Sequence, residues 1–123
     1  MSICNTKSVG VLLVLAAAAS VAQGFPADAT APSDEEIKKY VESGVLTAAI
    51  ADGTTWRLEY KPNGYFFINT SRGFNSDGQW QAEGGKLCGA LKGRDRTCNE
   101  VRMHQGVLHY KRDNGEIVQF KPR

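Results

Sequence analysis

The chain has 123 residues and three cysteines, with 15 basic against 13 acidic side chains for a formal charge of +2. A balance so close to neutral gives no reason to expect nucleic acid as a partner, and the length allows a single domain. The charges are uneven all the same, with acids in excess from Phe25 to Tyr60 and bases in excess from Lys86 onward.

Residues 1–24 have the order of a secretory signal peptide. Lys7 supplies the basic start, an apolar run extends from Val9 to Ala19, and Ser20, Ala22 and Gly24 are small residues at the positions a signal peptidase reads. Cleavage after Ala22 and after Gly24 fit equally well. The run is too short for a transmembrane helix, which needs about 20 apolar residues, so no membrane span is expected in the mature form. Cys4 precedes the apolar core and is therefore not placed for lipid attachment. The alanine-rich core has a bacterial character, and the expected location is the periplasm or the exterior.

The expected domain covers residues 33–123, preceded by a flexible lead-in at 25–32 (FPADATAP) with no periodicity. Ser33 followed by Asp34-Glu35-Glu36 is a capping box, in which the Ser33 hydroxyl takes the Glu36 amide and the Glu36 carboxylate reaches back. Ile37, Tyr40 and Val41 then fall on one face of a short helix that Gly44 ends. That stripe needs something to pack against.

From Thr54 the period changes to two. Trp56, Leu58 and Tyr60 alternate with polar residues, and Pro62-Asn63-Gly64 closes a three-residue hairpin loop. The loop length pairs Tyr60 with Phe66 and Leu58 with Ile68, leaving Tyr65 and Phe67 on the opposite face, with the helix stripe as their expected cover. Thr70 to Asp77 reads as a loop, and a strand through Gln79, Trp80 and Gln81 turns at Gly84-Gly85 into Lys86–Leu91. The KGRDR turn leads to Thr97–His104. Gln105-Gly106 pairs Met103 with Leu108, and a three-residue loop at Asp113-Asn114-Gly115 pairs Tyr110 with Val118 and Leu108 with Phe120. Both registers follow from one rule, that a one-residue slip moves a strand's side chains to the wrong face. The expected fold is mainly β: an antiparallel meander of six to seven strands, as a curved sheet or small open barrel, with one short N-terminal helix.

Only Cys88 and Cys98 remain once the leader is removed, in a compartment where disulfides persist, so they are expected to pair across hairpin neighbours. Closing a loop of about 11 residues is worth roughly 2.8 kcal/mol by loop-closure entropy.

The D-E-E-I helix start at Asp34–Ile37, the D-G-x-x-W run of Asp52–Trp56 and the Y-x-P-N-G turn of Tyr60–Gly64 occur in that order. Gly78-x-Trp80, Leu87-Cys88 and Cys98 follow. Together they resemble a family of small exported proteobacterial proteins of unknown function. The resemblance implies an exported β-domain and carries no catalytic motif to transfer.

The serines lack a nucleophile elbow, and no pair of carboxylates stands out, so no catalytic residue and no enzymatic activity is expected. His104 and His109, with Glu100 nearby, could face one another across a hairpin, but Arg102 between them opposes a cation; neither metal nor cofactor is expected. Two features remain. Trp56, Phe74 and Trp80 form a candidate patch for a protein partner or small apolar ligand. Lys92, Arg94 and Arg96 form a candidate charged loop. The expected role is a monomeric, non-enzymatic binding or interaction module. The alternative is an inhibitor or accessory subunit of a cell-envelope hydrolase that uses the charged loop.

Overall fold

A computed structural model describes residues Gly24–Arg123, so the signal-peptide reading of residues 1–24 lies outside the described residues except for its last position. Helix α1 (Asp34–Val41) is followed by eight strands: β1 (Leu46–Ala49), β2 (Thr55–Tyr60), β3 (Tyr65–Thr70), β4 (Asn75–Glu83), β5 (Lys86–Leu91), β6 (Thr97–His104), β7 (Val107–Lys111) and β8 (Ile117–Pro122). Each strand pairs antiparallel with the next, and β8 returns to β1, giving a closed up-and-down barrel. Closure removes the exposed sheet edges that an open meander would present.

The mainly antiparallel β class and the single short helix agree with the sequence reading, and the hairpin registers are those the loop lengths dictate. Tyr60 faces Phe66, Leu58 faces Ile68, Met103 faces Leu108, and Leu108 and Tyr110 face Phe120 and Val118. Gly64 and Gly115 each take φ of +92°, the left-handed position that ends a three-residue loop.

Three features depart from the sequence reading. First, Leu46–Ala49 is an additional strand that joins β2 to β8 and turns the meander into a barrel. Its alternation is weak because two of its four residues are alanine, and Leu46 and Ala48 supply the only buried positions. Second, Asn75, Ser76 and Asp77 belong to β4 and not to a loop, because they complete the ladder against Ile68, Asn69 and Phe67 of β3. Third, the lead-in is laid against the barrel. Thr30 exchanges two backbone hydrogen bonds with Met103, at 2.9 and 2.8 Å, where β6 has run past its partner β5. Asp28 meets His104 at 3.0 Å, and Phe25 lies under the Arg102 guanidinium.

The up-and-down topology puts the turns at 61–64, 84–85 and 105–106 at one end of the barrel. Helix α1 seals that end. Its capping box forms as the sequence dictates, with Ser33 Oγ accepting from the Glu36 amide at 3.1 Å and Glu36 Oε1 accepting from the Ser33 amide at 2.8 Å. The Asp34 carboxylate accepts from the amides of Gly84 and Gly85, and the Tyr40 hydroxyl donates to the Phe120 carbonyl. Ile37 and Val41 are fully buried against the barrel interior. The helix therefore does not cover Tyr65 and Phe67, which stay 45% and 39% exposed on the outer wall.

One glycine is required by close approach and not by a turn. A Cβ on Gly78 of β4 would lie 2.0 Å from the Ala90 carbonyl oxygen of β5, so only glycine lets these two backbones meet there.

The two cysteines form the disulfide Cys88–Cys98, directly opposite one another in the β5–β6 ladder. It stands at the base of the 92–96 loop.

Candidate functional site

The four loops at 50–54, 71–74, 92–96 and 112–116 surround the end of the barrel opposite the helix. Between them opens a cavity of about 680 Å³ that reaches into the barrel. A barrel of eight strands is the size at which the interior is either filled by side chains or holds one small molecule. Here the interior is divided into two storeys.

The division is a layer of aromatic rings. Tyr60 stacks on Phe66 with centroids 5.3 Å apart and meets Trp80 edge-on at 5.4 Å. Phe120 tilts against Tyr60 and stacks on Tyr110 at 4.7 Å. Below this layer Trp80, Ile37, Val41 and Leu46 fill the closed end. Above it the cavity wall is made by Leu58, Ile68, Leu87 and Leu91. The floor is thus aromatic and the wall aliphatic.

The three aromatic residues singled out from the sequence separate. Trp56 and Phe74 line the cavity at its mouth. Trp80 does not; it is buried at the closed end, where its indole Nε1 donates to the Lys61 carbonyl at 2.8 Å. Each mouth aromatic carries an arginine, with Arg94 5.1 Å from the Phe74 centroid and Arg112 5.0 Å from the Trp56 centroid. Such stacked cations cover apolar rings without removing their charge from water.

The charged loop also divides. Lys92 pairs with Asp77 at 3.5 Å and Arg96 with Glu83 at 2.5 Å, both on the outer wall of β4. Arg94 alone of the three turns over the mouth. On the next loop of the rim, Arg112 is held by Glu116, whose second oxygen accepts from the Ala51 amide at 2.8 Å. Asp113 is occupied by the Asn99 side-chain amide at 2.8 Å.

Tyr60 and Tyr110 also line the cavity, and no local pattern in the sequence marks them as site residues. Burial pushes the Tyr60 hydroxyl well above its ordinary pKa, and the neighbouring Tyr110 adds to the effect. Burial, followed by the charge of Asp113, pushes Tyr110 up to about 12. Both phenols are therefore neutral hydrogen-bond donors throughout the physiological range.

His104 and His109 meet edge-on with centroids 5.6 Å apart, near the closed end and away from the cavity. His109 Nδ1 lies 3.1 Å from the Val107 carbonyl and His104 faces Asp28. Among the described residues, no three His, Cys, Asp or Glu side chains converge as a metal cluster, and no helix is long and apolar enough to cross a membrane.

Fold and site together define a class: a small up-and-down β-barrel, sealed by a helix at one end, with an aromatic-floored cavity open at the other. No protein-family model matches the chain, and searches of curated proteins and of solved structures found no match.

Proposed function

We propose that this protein is an exported, non-enzymatic binding module that takes one small, largely apolar molecule into its barrel. The observation that carries this is the open-ended cavity of about 680 Å³, which falls within the roughly 300–1,000 Å³ range of small-molecule sites. Its wall offers aromatic and aliphatic side chains with two phenols, and Arg94, Asp95, Arg112 and Asp113 stand at the mouth, the chemistry of holding and orienting a guest. The outer wall carries Arg57, Glu59, Lys61 and Asp77 beside the half-exposed Tyr65 and Phe67, a mostly polar exterior suited to water. The leader-like start at residues 1–24 and the disulfide support a role outside the cytoplasm.

The test is saturable binding of 1-anilinonaphthalene-8-sulfonate, read by its fluorescence. One site per chain is expected in the wild type, and loss of that site is expected in Ile68→Trp, where an indole fills the cavity from its own wall. Absence of saturable binding by any apolar dye would remove the proposal.

A further inference from the structure

The cavity's two phenols say more about the guest than its volume does. Tyr60 is only 7% exposed and lines the cavity, yet its hydroxyl makes no hydrogen bond to any described residue, and neither does that of Tyr110. The contrast with Tyr40 is direct, since that phenol is spent on the Phe120 carbonyl. Every side-chain nitrogen or oxygen sealed from solvent among the described residues has a partner. The oxygens of Tyr60 and Tyr110 are therefore not sealed, and both residues line the cavity. A hydroxyl that water can reach needs no protein acceptor, so these two donors are free to exchange water for an acceptor carried by a guest, and a few convergent polar groups in an apolar pocket are what orient a ligand.

The surroundings restrict the rest of the guest. Tyr60 and Phe66 are parallel to within 7°, Tyr110 and Phe120 to within 18°, and all four rings border the cavity. Flat aromatic surfaces accept another flat ring by offset stacking or edge contact better than they accept a flexible chain. The acceptor must also sit on the part of the guest that goes in first, because Tyr60 belongs to the floor.

From this we infer that the ligand is a planar aromatic molecule bearing a carbonyl-type oxygen at its leading end, held by hydrogen bonds from the hydroxyls of Tyr60 and Tyr110. This rests on the cavity reading above and narrows it to one ligand class.

The test compares 2-acetylnaphthalene with 2-ethylnaphthalene, which match in shape and differ in the oxygen, by calorimetry and by quenching of Trp56 at the mouth. Dodecanoate serves as a flexible-chain control. The ketone is expected to bind at least about 10-fold more tightly than the hydrocarbon, a difference of about 1.4 kcal/mol. In Tyr60→Phe that advantage should shrink to about 2-fold or less while binding of the hydrocarbon holds. Tyr110→Phe should reduce it in part. Equal binding of the two naphthalenes, or dodecanoate as the only ligand, would overturn this inference and leave the barrel a binding protein for another apolar class. Failure of all three, together with failure of the anilinonaphthalene dye, would overturn both.

Discussion

The guanidinium of Arg112 lies over the indole of Trp56, 5.0 Å from its centroid, while its Nη1 is held by Glu116. The same Glu116 carboxylate accepts from the Ala51 amide, so one side chain ties the β7–β8 loop to the neighbouring β1–β2 loop along the rim of the mouth. The arrangement works as a strap. Arg112→Ala removes a partly exposed stack and a partly exposed ion pair, each worth about 0.5–1 kcal/mol. We expect a loss of about 1 kcal/mol, or roughly 4–8 °C in Tm, by thermal denaturation. Stopped-flow mixing with 1-anilinonaphthalene-8-sulfonate should show association and dissociation both faster by several-fold. Unchanged rates would mean that the strap does not control access.

The Cys88–Cys98 bridge closes a short loop whose tip is the 92–96 segment. Loop-closure entropy for about 11 residues gives roughly 2.8 kcal/mol, a large fraction of the stability of a domain this size. Replacing both cysteines by serine should lower the urea midpoint accordingly and the Tm by on the order of 10–20 °C. Hydrogen exchange should rise first in residues 89–97. A variant as stable as the wild type would show the bridge to be structurally idle.

Gly78 and Ala90 leave no room between their strands for even one methyl group. Gly78→Ala is therefore expected to cost about 3 kcal/mol or more, by forcing β4 from β5, despite alanine's lower backbone entropy. Chemical denaturation of the variant against the wild type decides the matter.

Alkaline pH tests the buried phenols. For Tyr110 the folded pKa of about 12 lies above the unfolded value near 10, so folding favours the neutral form. The associated stability is complete below pH 10 and is lost as pH rises from 10 through about 12, by about 1.4 kcal/mol for each unit. Tyr60 acts in the same direction. Absorbance at 295 nm should show both phenols ionising late and together with loss of the β signal in circular dichroism, with Tyr110→Phe removing one step. Ionisation of both near pH 10 with the fold intact would contradict the burial described above.

Much of the barrel was legible because hairpin loops of known length leave only one register that keeps Leu58, Tyr60, Leu108 and Phe120 on a common face. Closure was not legible. Leu46–Ala49 has little strand propensity of its own, and its conformation follows from pairing with β2 and with β8, the latter joining residues more than 70 positions apart. The start of β4 was hidden for a similar reason, since Asn75, Ser76 and Asp77 have no apolar alternation and are held by the β3 ladder.

The site was harder still. Alternation tells which face of a strand a residue occupies, and Trp56 and Trp80 both face inward. It does not tell how far along the barrel each stands. Trp56 follows the first residue of β2, next to the mouth, whereas Trp80 lies five residues into β4, roughly 17 Å along that strand from its mouth end. The unmatched hydroxyls of Tyr60 and Tyr110 depend on where four neighbouring strands bring their side chains, and nothing local in the sequence marks them.

Helix α1 gives the barrel a bottom. A tube lets traffic pass through, but a cup must be filled and emptied over the same rim, so no second molecule can push the first out from behind. For a guest held as proposed, residence time is then governed at the lip, and the residues that shape it can change how long cargo is kept while leaving the seat on which it rests untouched.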